Sequence, residues 1–214
     1  MYNRNRSRSD DHPIAITLLN DEQHRTANEL AAALAALQLV RRMRSGRSDL
    51  IDTAIARLEG FASTRRTLTD SQFAGADAVI ELPLLFAGMM RGRHGFAEID
   101  FMTSCIHLPL NGRVAGTLLR CAHEMVTNAW KHSDAEAPIR VTLRATATKL
   151  ELAVLNDCVT QSSAGSRGCG QTIIQALCRH AGGRYQRRML RDVHIARVIL
   201  PRSPRPEVPV GRHP

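Results

Sequence analysis

The sequence predicts an α+β protein in which a helical hairpin precedes a sandwich of one sheet and several helices. Three observations predict this class. Residues 14–43 are rich in Ala and Leu without Gly or Pro, a second apolar stripe at helical spacing follows Gly46, and strand-like segments appear after about Asp70. We therefore expect a basic arm, the hairpin, the sandwich and a tail over residues 1–13, 14–70, 71–201 and 202–214.

The hairpin consists of two amphipathic helices. In the first helix, leucines recur at helical spacing on one face, as in Leu30, Leu34 and Leu37. Ser48 and Asp49 supply an N-cap for the second helix, whose apolar stripe continues to Leu68. Because each stripe is broad enough to pack against more than one helix, we expect a second copy of the chain to complete a dimeric four-helix bundle.

The region after the hairpin is expected to form a sheet with helices on one of its faces. Helices are predicted over residues 74–90, 113–132 and 171–180. A strand is predicted over residues 97–108, and two strand hairpins are predicted over 139–145 with 149–155 and over 184–189 with 193–200. Residues 156–167 between the first hairpin and the last helix are expected to form a loop.

Composition excludes several classes of protein. No apolar run approaches the roughly 20 residues that span a bilayer, which excludes an integral membrane protein. The N-terminal segment lacks the apolar stretch of a secretory signal, so we expect a cytoplasmic protein. The five cysteines form no CxxC pair, which argues against a disulfide framework and a structural zinc site and favours small apolar core residues.

The charge balance of the chain favours acidic partners. The formal net charge is +9, carried by 27 Arg and two Lys, and it would attract nucleic acid, phosphate groups or an acidic protein surface. Aromatic residues make up only 4% of the chain, which leaves few rings on which bases could stack. We therefore expect neither nucleic acid nor a membrane among the partners.

One predicted helix carries the set of residues with the most specific chemistry. Glu124, Asn128 and Lys131 lie at i, i+4 and i+7, so they share one face, and His132 follows them. Carboxylate and amide oxygens suit a hard cation such as Mg²⁺, and an ammonium suits a polyphosphate. The same spacing also fits an amphipathic helix with a solvated polar face.

The stretch HEMVTNAWKH, which contains these residues, resembles the N box of the ATP-binding domain of sensor histidine kinases and of their relatives in the gyrase, Hsp90 and MutL superfamily. The resemblance implies an α/β sandwich of the Bergerat type, with ATP and Mg²⁺ as cofactors. It implies that Asn128 binds the metal, that Glu124 is catalytic beside the metal and its water, and that Lys131 and His132 face the phosphates.

A glycine-rich turn later in the chain is similar to another element of that family. Gly168 and Gly170 precede a predicted helix, as in the family's second glycine box, GxGLxIV. The resemblance implies that the backbone amides of this turn and the following helix N-terminus receive phosphate. A GxG pattern alone would more often mark an ordinary turn.

The family's first glycine box, VxDNG, is altered in this chain. After Val154 and Leu155 the sequence has Asn156, Asp157 and Cys158. The resemblance implies that Asn156 stands where an Asp reads adenine, and an amide oxygen can accept the same hydrogen bond. Asp157 takes this role if the register is shifted by one residue.

A second motif opens the first long helix. His24 lies away from the leucine stripe, so we expect its imidazole to be exposed to solvent. The pattern His-Arg-x-x-Asn from His24 to Asn28 resembles the phosphoacceptor box of histidine kinases, with Ala27 and Glu29 replacing the family's Lys and second Asn. The resemblance implies that His24 accepts a phosphoryl group and that Asn28 holds a water for the reverse, phosphatase reaction.

Together these features predict a soluble two-component histidine kinase that transfers the ATP γ-phosphoryl group to His24 and then to a response-regulator aspartate. The expected partners are the receiver domain of that regulator, a second copy of the chain and a separate sensor protein. The first alternative is a histidine phosphotransferase or response-regulator phosphatase with a degenerate ATP site. The second alternative is a non-catalytic DNA- or protein-binding adaptor that uses its basic arms.

Overall fold

The computed structural model describes residues 30, 34–35, 37–38, 49–91, 97–133, 137–157 and 169–202. These residues contain helices α1 (Asp49–Ala74), α2 (Ala78–Met90), α3 (Gly112–His132) and α4 (Cys169–His180). They also contain strands β1 (Ala76–Asp77), β2 (Ile99–Thr103), β3 (Pro109–Leu110), β4 (Ile139–Ala145), β5 (Lys149–Asp157), β6 (Arg184–Leu190) and β7 (Val193–Pro201). Within the described ranges, no helix combines the length and the apolar character needed to cross a membrane.

The first hairpin helix lies mostly outside the described residues. Of the segment predicted to be helical over residues 14–43, the described positions 30, 34, 35, 37 and 38 are helical. The second hairpin helix is α1, and it runs without a break through residue 70, where the boundary with the sandwich is expected. The dimeric four-helix bundle stays a prediction.

Five strands form one mixed sheet in the order β2-β4-β5-β7-β6. β2 and β4 are parallel, and the other neighbouring pairs are antiparallel. Both predicted strand hairpins are confirmed. β5 continues to Asp157, however, so Asn156 and Asp157 belong to the strand and not to the predicted loop.

The hydrophobic core lies between the sheet and its helices. Alternate residues of β5 point to opposite faces of the sheet, and Leu150, Leu152 and Val154 on one face are almost completely buried. Helix α3 packs across β5 and β7, and α4 packs against β6 and β7. The predicted sandwich, with helices covering one face of the sheet, is therefore confirmed.

The junction between α1 and α2 differs from the prediction of a helix over residues 74–90. Gly75 adopts a φ of +75°, a conformation that favours glycine, and this ends α1 at Ala74. Asp77 then caps α2, because its carboxylate accepts a hydrogen bond of 2.9 Å from the Val79 N–H. Helix α2 consequently starts at Ala78.

The strand predicted over residues 97–108 is also shorter than expected. It forms β2 from Ile99 to Thr103, and the chain then turns before the two-residue strand β3. β3 pairs with β1 in an antiparallel two-stranded sheet, with Ala76 opposite Leu110. Because β1 directly precedes α2 and a single residue separates β3 from α3, this small sheet holds the N-terminal ends of the two helices together.

Candidate functional site

Helix α3 presents one polar face because its other faces are buried. Asn111 caps the helix by accepting a hydrogen bond of 3.1 Å from the Val114 N–H. Towards its end, Trp130 is buried, and its Nε1–H donates a 2.8 Å hydrogen bond to the Ala97 carbonyl. These contacts fix the rotation of the helix about its axis, so the positions of Glu124 and Asn128 relative to the sheet are also fixed.

Glu124 is a partly buried carboxylate that lies beside His123. Its Oε1 lies 3.5 Å from His123 Nδ1, and the side chain is 28% exposed. The interaction with His123 lowers the pKa of Glu124 below its usual 4.5 although partial burial opposes this, and the charge of Lys131 acts in the same direction. Glu124 is therefore ionised at neutral pH.

The other three predicted residues of α3 extend this face towards the C-terminal end of the helix. Asn128 is half-buried, whereas Lys131 and His132 are exposed. Asn128 lies one helical turn after Glu124, and Lys131 lies one turn after Asn128. The structure thus brings a carboxylate, an amide and an ammonium together on one strip of helix surface.

The register of β5 distinguishes the two candidates for the base-reading position. Asn156 is 2% exposed and lies on the same face of the sheet as Val154, which is the face that the helices cover. Asp157 points to the opposite face, where its Oδ1 lies 3.8 Å from Arg140 Nη2 of β4. Only Asn156 therefore lies on the side of the sheet that α3 occupies.

Helix α4 begins at Cys169, so Gly170 belongs to its first turn. The helix ends at His180, after which Gly182 adopts a φ of +71° and the Gly183 N–H donates a 2.7 Å hydrogen bond to the Cys178 carbonyl. The glycine-rich segment therefore contains a helix N-terminus, whose free backbone N–H groups an anion-binding turn requires.

Several predicted site residues lie outside the described part of the chain. They are His24, Asn28 and Gly168. The roles that the resemblance implies for them remain predictions. The described part of the candidate site consists of Glu124, Asn128, Lys131, His132 and Asn156, with Gly170 at the start of α4.

Sequence reasoning assigned no functional role to His194, although the structure places it beside Asn156. The two residues face each other across the β5–β7 ladder. His194 is half-buried, and burial followed by the positive charges of Arg187 and His132 lowers its pKa below the usual 6.5. In the sequence, His194 stands an even number of residues before Ala196, Val198 and Leu200, which are buried, so the two-residue period of the strand places His194 on the same face. This period is the signal that could have identified it.

The donor set of this strip fits a magnesium nucleotide. Mg²⁺ is usually held by one or two protein oxygens together with water and substrate phosphates, and Glu124 and Asn128 offer such oxygens. Over the described ranges, no group of three His, Cys, Asp or Glu side chains is close enough to hold a metal by itself. A cation bound here would therefore depend on the oxygens of a phosphate ligand and of water.

Comparisons with known proteins show which solved structures share this fold. No protein-family model matches the chain, and no curated protein matches it significantly. Among solved structures, a bacterial phosphotransferase superimposes with a TM-score of 0.57 at 11% identity, covering 85% of this chain and 94% of that one.

Two histidine kinase structures also superimpose on the chain. The histidine kinase domain of the blue-light activated kinase EL346 from Erythrobacter litoralis gives a TM-score of 0.50 at 17% identity, with 82% of this chain and 96% of that one covered. Full-length ShkA in complex with AMPPNP gives 0.52 at 14% identity, covering 88% of this chain and 46% of that one. The chain therefore has the fold of histidine kinase catalytic domains.

Proposed function

We propose that this chain is a cytoplasmic two-component signalling protein that binds Mg²⁺-ATP and transfers the γ-phosphoryl group to His24. The observation that carries the proposal is the strip formed by Glu124, Asn128 and Lys131 on α3, which lies on the same side of the sheet as the buried side chain of Asn156 in β5. This strip occurs in a fold shared with histidine kinase domains. The partners in this proposal are a second copy of the chain, a separate sensor protein and a response-regulator receiver domain.

The residues of the candidate site have three tasks in the proposal: to bind the metal, to bind the phosphates and to read the base. Glu124 and Asn128 provide oxygens for Mg²⁺, which would offset the negative charge of the triphosphate when bound. Lys131 and His132 lie beside the phosphates, where an ammonium acts as a point charge. The carbonyl of the buried Asn156 amide accepts a hydrogen bond from the adenine amino group.

The reaction at His24 is a phosphoryl transfer. A neutral imidazole nitrogen of His24 attacks the γ-phosphorus, the bond to the bridging oxygen breaks, and ADP leaves with the electron pair. The nitrogen–phosphorus bond is labile, so an aspartate of the receiver domain can take the phosphoryl group in a second transfer. Asn28 would position water for the reverse, phosphatase direction.

A histidine phosphotransferase or response-regulator phosphatase is the second candidate. The observation in its favour is Asn156, because a buried amide replaces the ionised carboxylate with which related ATP sites are expected to read adenine. The similarity to the bacterial phosphotransferase, which extends over most of both chains, is compatible with it. In this candidate His24 receives its phosphoryl group from one receiver domain and passes it to another.

The test is incubation of the full chain with γ-labelled ATP and Mg²⁺, followed by mapping of the label. The kinase proposal expects acid-labile label on His24 and no label in His24→Gln, whereas His180→Gln, at an exposed position of α4, keeps the label. Absence of label from ATP, together with uptake from a phosphorylated receiver domain, would support the phosphotransferase. Label on another residue would reject the acceptor assignment.

A further inference from the structure

Strand β6 forms one edge of the five-stranded sheet. It pairs only with β7 in the part of the chain that the structure describes, so the backbone N–H and C=O groups along its other side have no neighbouring strand there. Six of its seven residues are exposed, and only Tyr185 is half-buried. An exposed edge of this kind is a template for pairing with another extended chain.

The side chains of this edge are basic and apolar. β6 contains three arginines and no acidic residue. Met189 and Leu190 at its end are large hydrophobic residues that remain 58% and 64% exposed. Positive charge thus lies next to apolar surface along one strand.

A cavity of about 180 Å³ lies along the same hairpin. Its walls include Arg187, Arg188, Met189, Leu190, Ile195 and Arg197. In the β6–β7 ladder Arg188 is opposite Ile195, and both belong to the face of the sheet that the helices leave uncovered. Arg197 on that face already holds Glu151 of β5 at 3.2 Å, which shows that this surface accepts carboxylates.

We propose that β6 binds an extended acidic segment of a partner protein by β-strand addition. The backbone of the segment pairs with the free side of β6, one of its apolar side chains enters the cavity beside Leu190 and Ile195, and a carboxylate on the same face of the segment lies against Arg188. This interaction is separate from the nucleotide site and goes beyond the proposed function.

Other occupants fit this edge less well. The β6 strand of a second copy would bring three arginines against three arginines, and like charges on paired strands are destabilising. Nucleic acid has no strand backbone to pair with the edge, and the hairpin offers Tyr185 as its one aromatic ring for base stacking. The terminal segments 1–13 and 203–214 carry no excess of acidic residues.

The experiment is a fluorescence anisotropy titration of the full chain with a labelled seven-residue peptide whose first, third, fifth and seventh residues are Glu, Leu, Glu and Leu, with Thr between them, so that carboxylates and apolar side chains share one face of the strand. We expect saturable binding that weakens at least about tenfold in Arg188→Glu and in Leu190→Asp. The matched control is Arg144→Glu, which reverses a charge on the same face of the sheet but on β4, and it should change affinity by less than about twofold.

Further probes distinguish strand addition from its competitors. The same peptide with every backbone nitrogen methylated should not bind, because it cannot pair with a strand edge. Absence of saturable binding, equal weakening by Arg144→Glu and Arg188→Glu, or undiminished binding of the methylated peptide would each overturn the proposal. Tighter binding of a single-stranded thymidine oligonucleotide would overturn it in favour of a nucleic-acid surface. Circular dichroism of Arg188→Glu and Leu190→Asp verifies that both variants are folded.

Discussion

At the scale of single residues, the candidate site combines charged groups whose states depend on their neighbours. The hydrogen bond with His123 and, more weakly, the charge of Lys131 lower the pKa of Glu124 below 4.5, so it offers an ionised carboxylate to a cation at neutral pH. Asn156 is uncharged and almost fully buried, which avoids the cost of placing a carboxylate in the same position. In the proposed nucleotide site, this amide would offer a hydrogen-bond acceptor without the negative charge of the aspartate that the family resemblance implies there.

The pKa of His194 leads to a prediction about stability and pH. Its folded-state pKa is lowered below 6.5, so the unfolded chain binds more protons than the folded one as the pH falls below that value. The free energy of unfolding should therefore decrease as the pH falls from about 7 to about 5, and His194→Asn should reduce this decrease. Urea denaturation at several pH values measures it.

The control is a second histidine variant measured in the same way. His180→Asn removes an exposed histidine from α4 without changing the surroundings of His194. Glu124 titrates below 4.5 and contributes at lower pH, outside this window. An unchanged pH dependence in His194→Asn would contradict the assignment of the effect to this residue.

At the scale of elements, α1 and α2 cross at a point where two glycines allow the backbones to approach closely. A Cβ atom at Gly60 would lie 2.5 Å from the Gly88 carbonyl oxygen. A Cβ atom at Gly88 would lie 2.8 Å from Thr64 Oγ1. Because the obstacle at Gly60 is backbone, any larger residue there must separate the helices.

This crossing predicts the sign of one substitution. Gly60→Ala would stabilise an isolated helix by about 0.5–1 kcal/mol, but overpacking at the crossing should cost about 1–3 kcal/mol. We therefore expect the variant to have a lower free energy of unfolding than the native chain, as measured by urea denaturation. Arg66→Ala, at an exposed position of α1, controls for changes in helix surface and should alter stability by less than about 0.5 kcal/mol. A more stable Gly60→Ala would show that the helices do not cross so closely.

The sequence predicts the elements best where a long pattern repeats. Helix α3 and the strand hairpins extend over enough residues for their periodicity to define them, and none of their observed ends differs by more than two residues from the expected one. The two-residue strands β1 and β3 carry no periodic signal, because their pairing depends on contacts between distant parts of the chain. The sequence predicts the break between α1 and α2 at about residues 71–73, whereas it lies at residues 75–77, because the left-handed conformation of Gly75 that ends α1 has no periodic signal.

In the candidate site, too, features that depend on local spacing could be predicted and features that depend on strand pairing could not. Glu124, Asn128 and Lys131 could be grouped from their spacing on a single helix. The sequence could not show which of Asn156 and Asp157 lies on the helix-covered face of the sheet. That depends on the register of β5, and a shift of one residue would move each side chain to the opposite face. His194 joins the site only through the pairing of β5 with β7, which no local pattern contains.

At the scale of the whole molecule, α1 is joined directly to α3, the helix that carries the candidate site. Gln72 of α1 accepts a 2.5 Å hydrogen bond from Arg120 Nη2 of α3. The backbone of α1 also comes close to Gly116, where an added Cβ would lie 3.2 Å from Gln72 Cα. Because α1 and α3 are in such close contact, a displacement of α1 would be transmitted to the surface that holds Glu124 and Asn128.

Calorimetric titration of the full chain with a non-hydrolysable ATP analogue and Mg²⁺ tests the claim that the polar face of α3 binds a magnesium nucleotide. We predict saturable binding that requires Mg²⁺ and weakens by roughly tenfold or more in Asn128→Ala. Thr127→Ala, at the neighbouring half-buried position, should bind like the native chain. Native protein that binds no nucleotide, or Asn128→Ala that binds it with unchanged affinity, would contradict the claim.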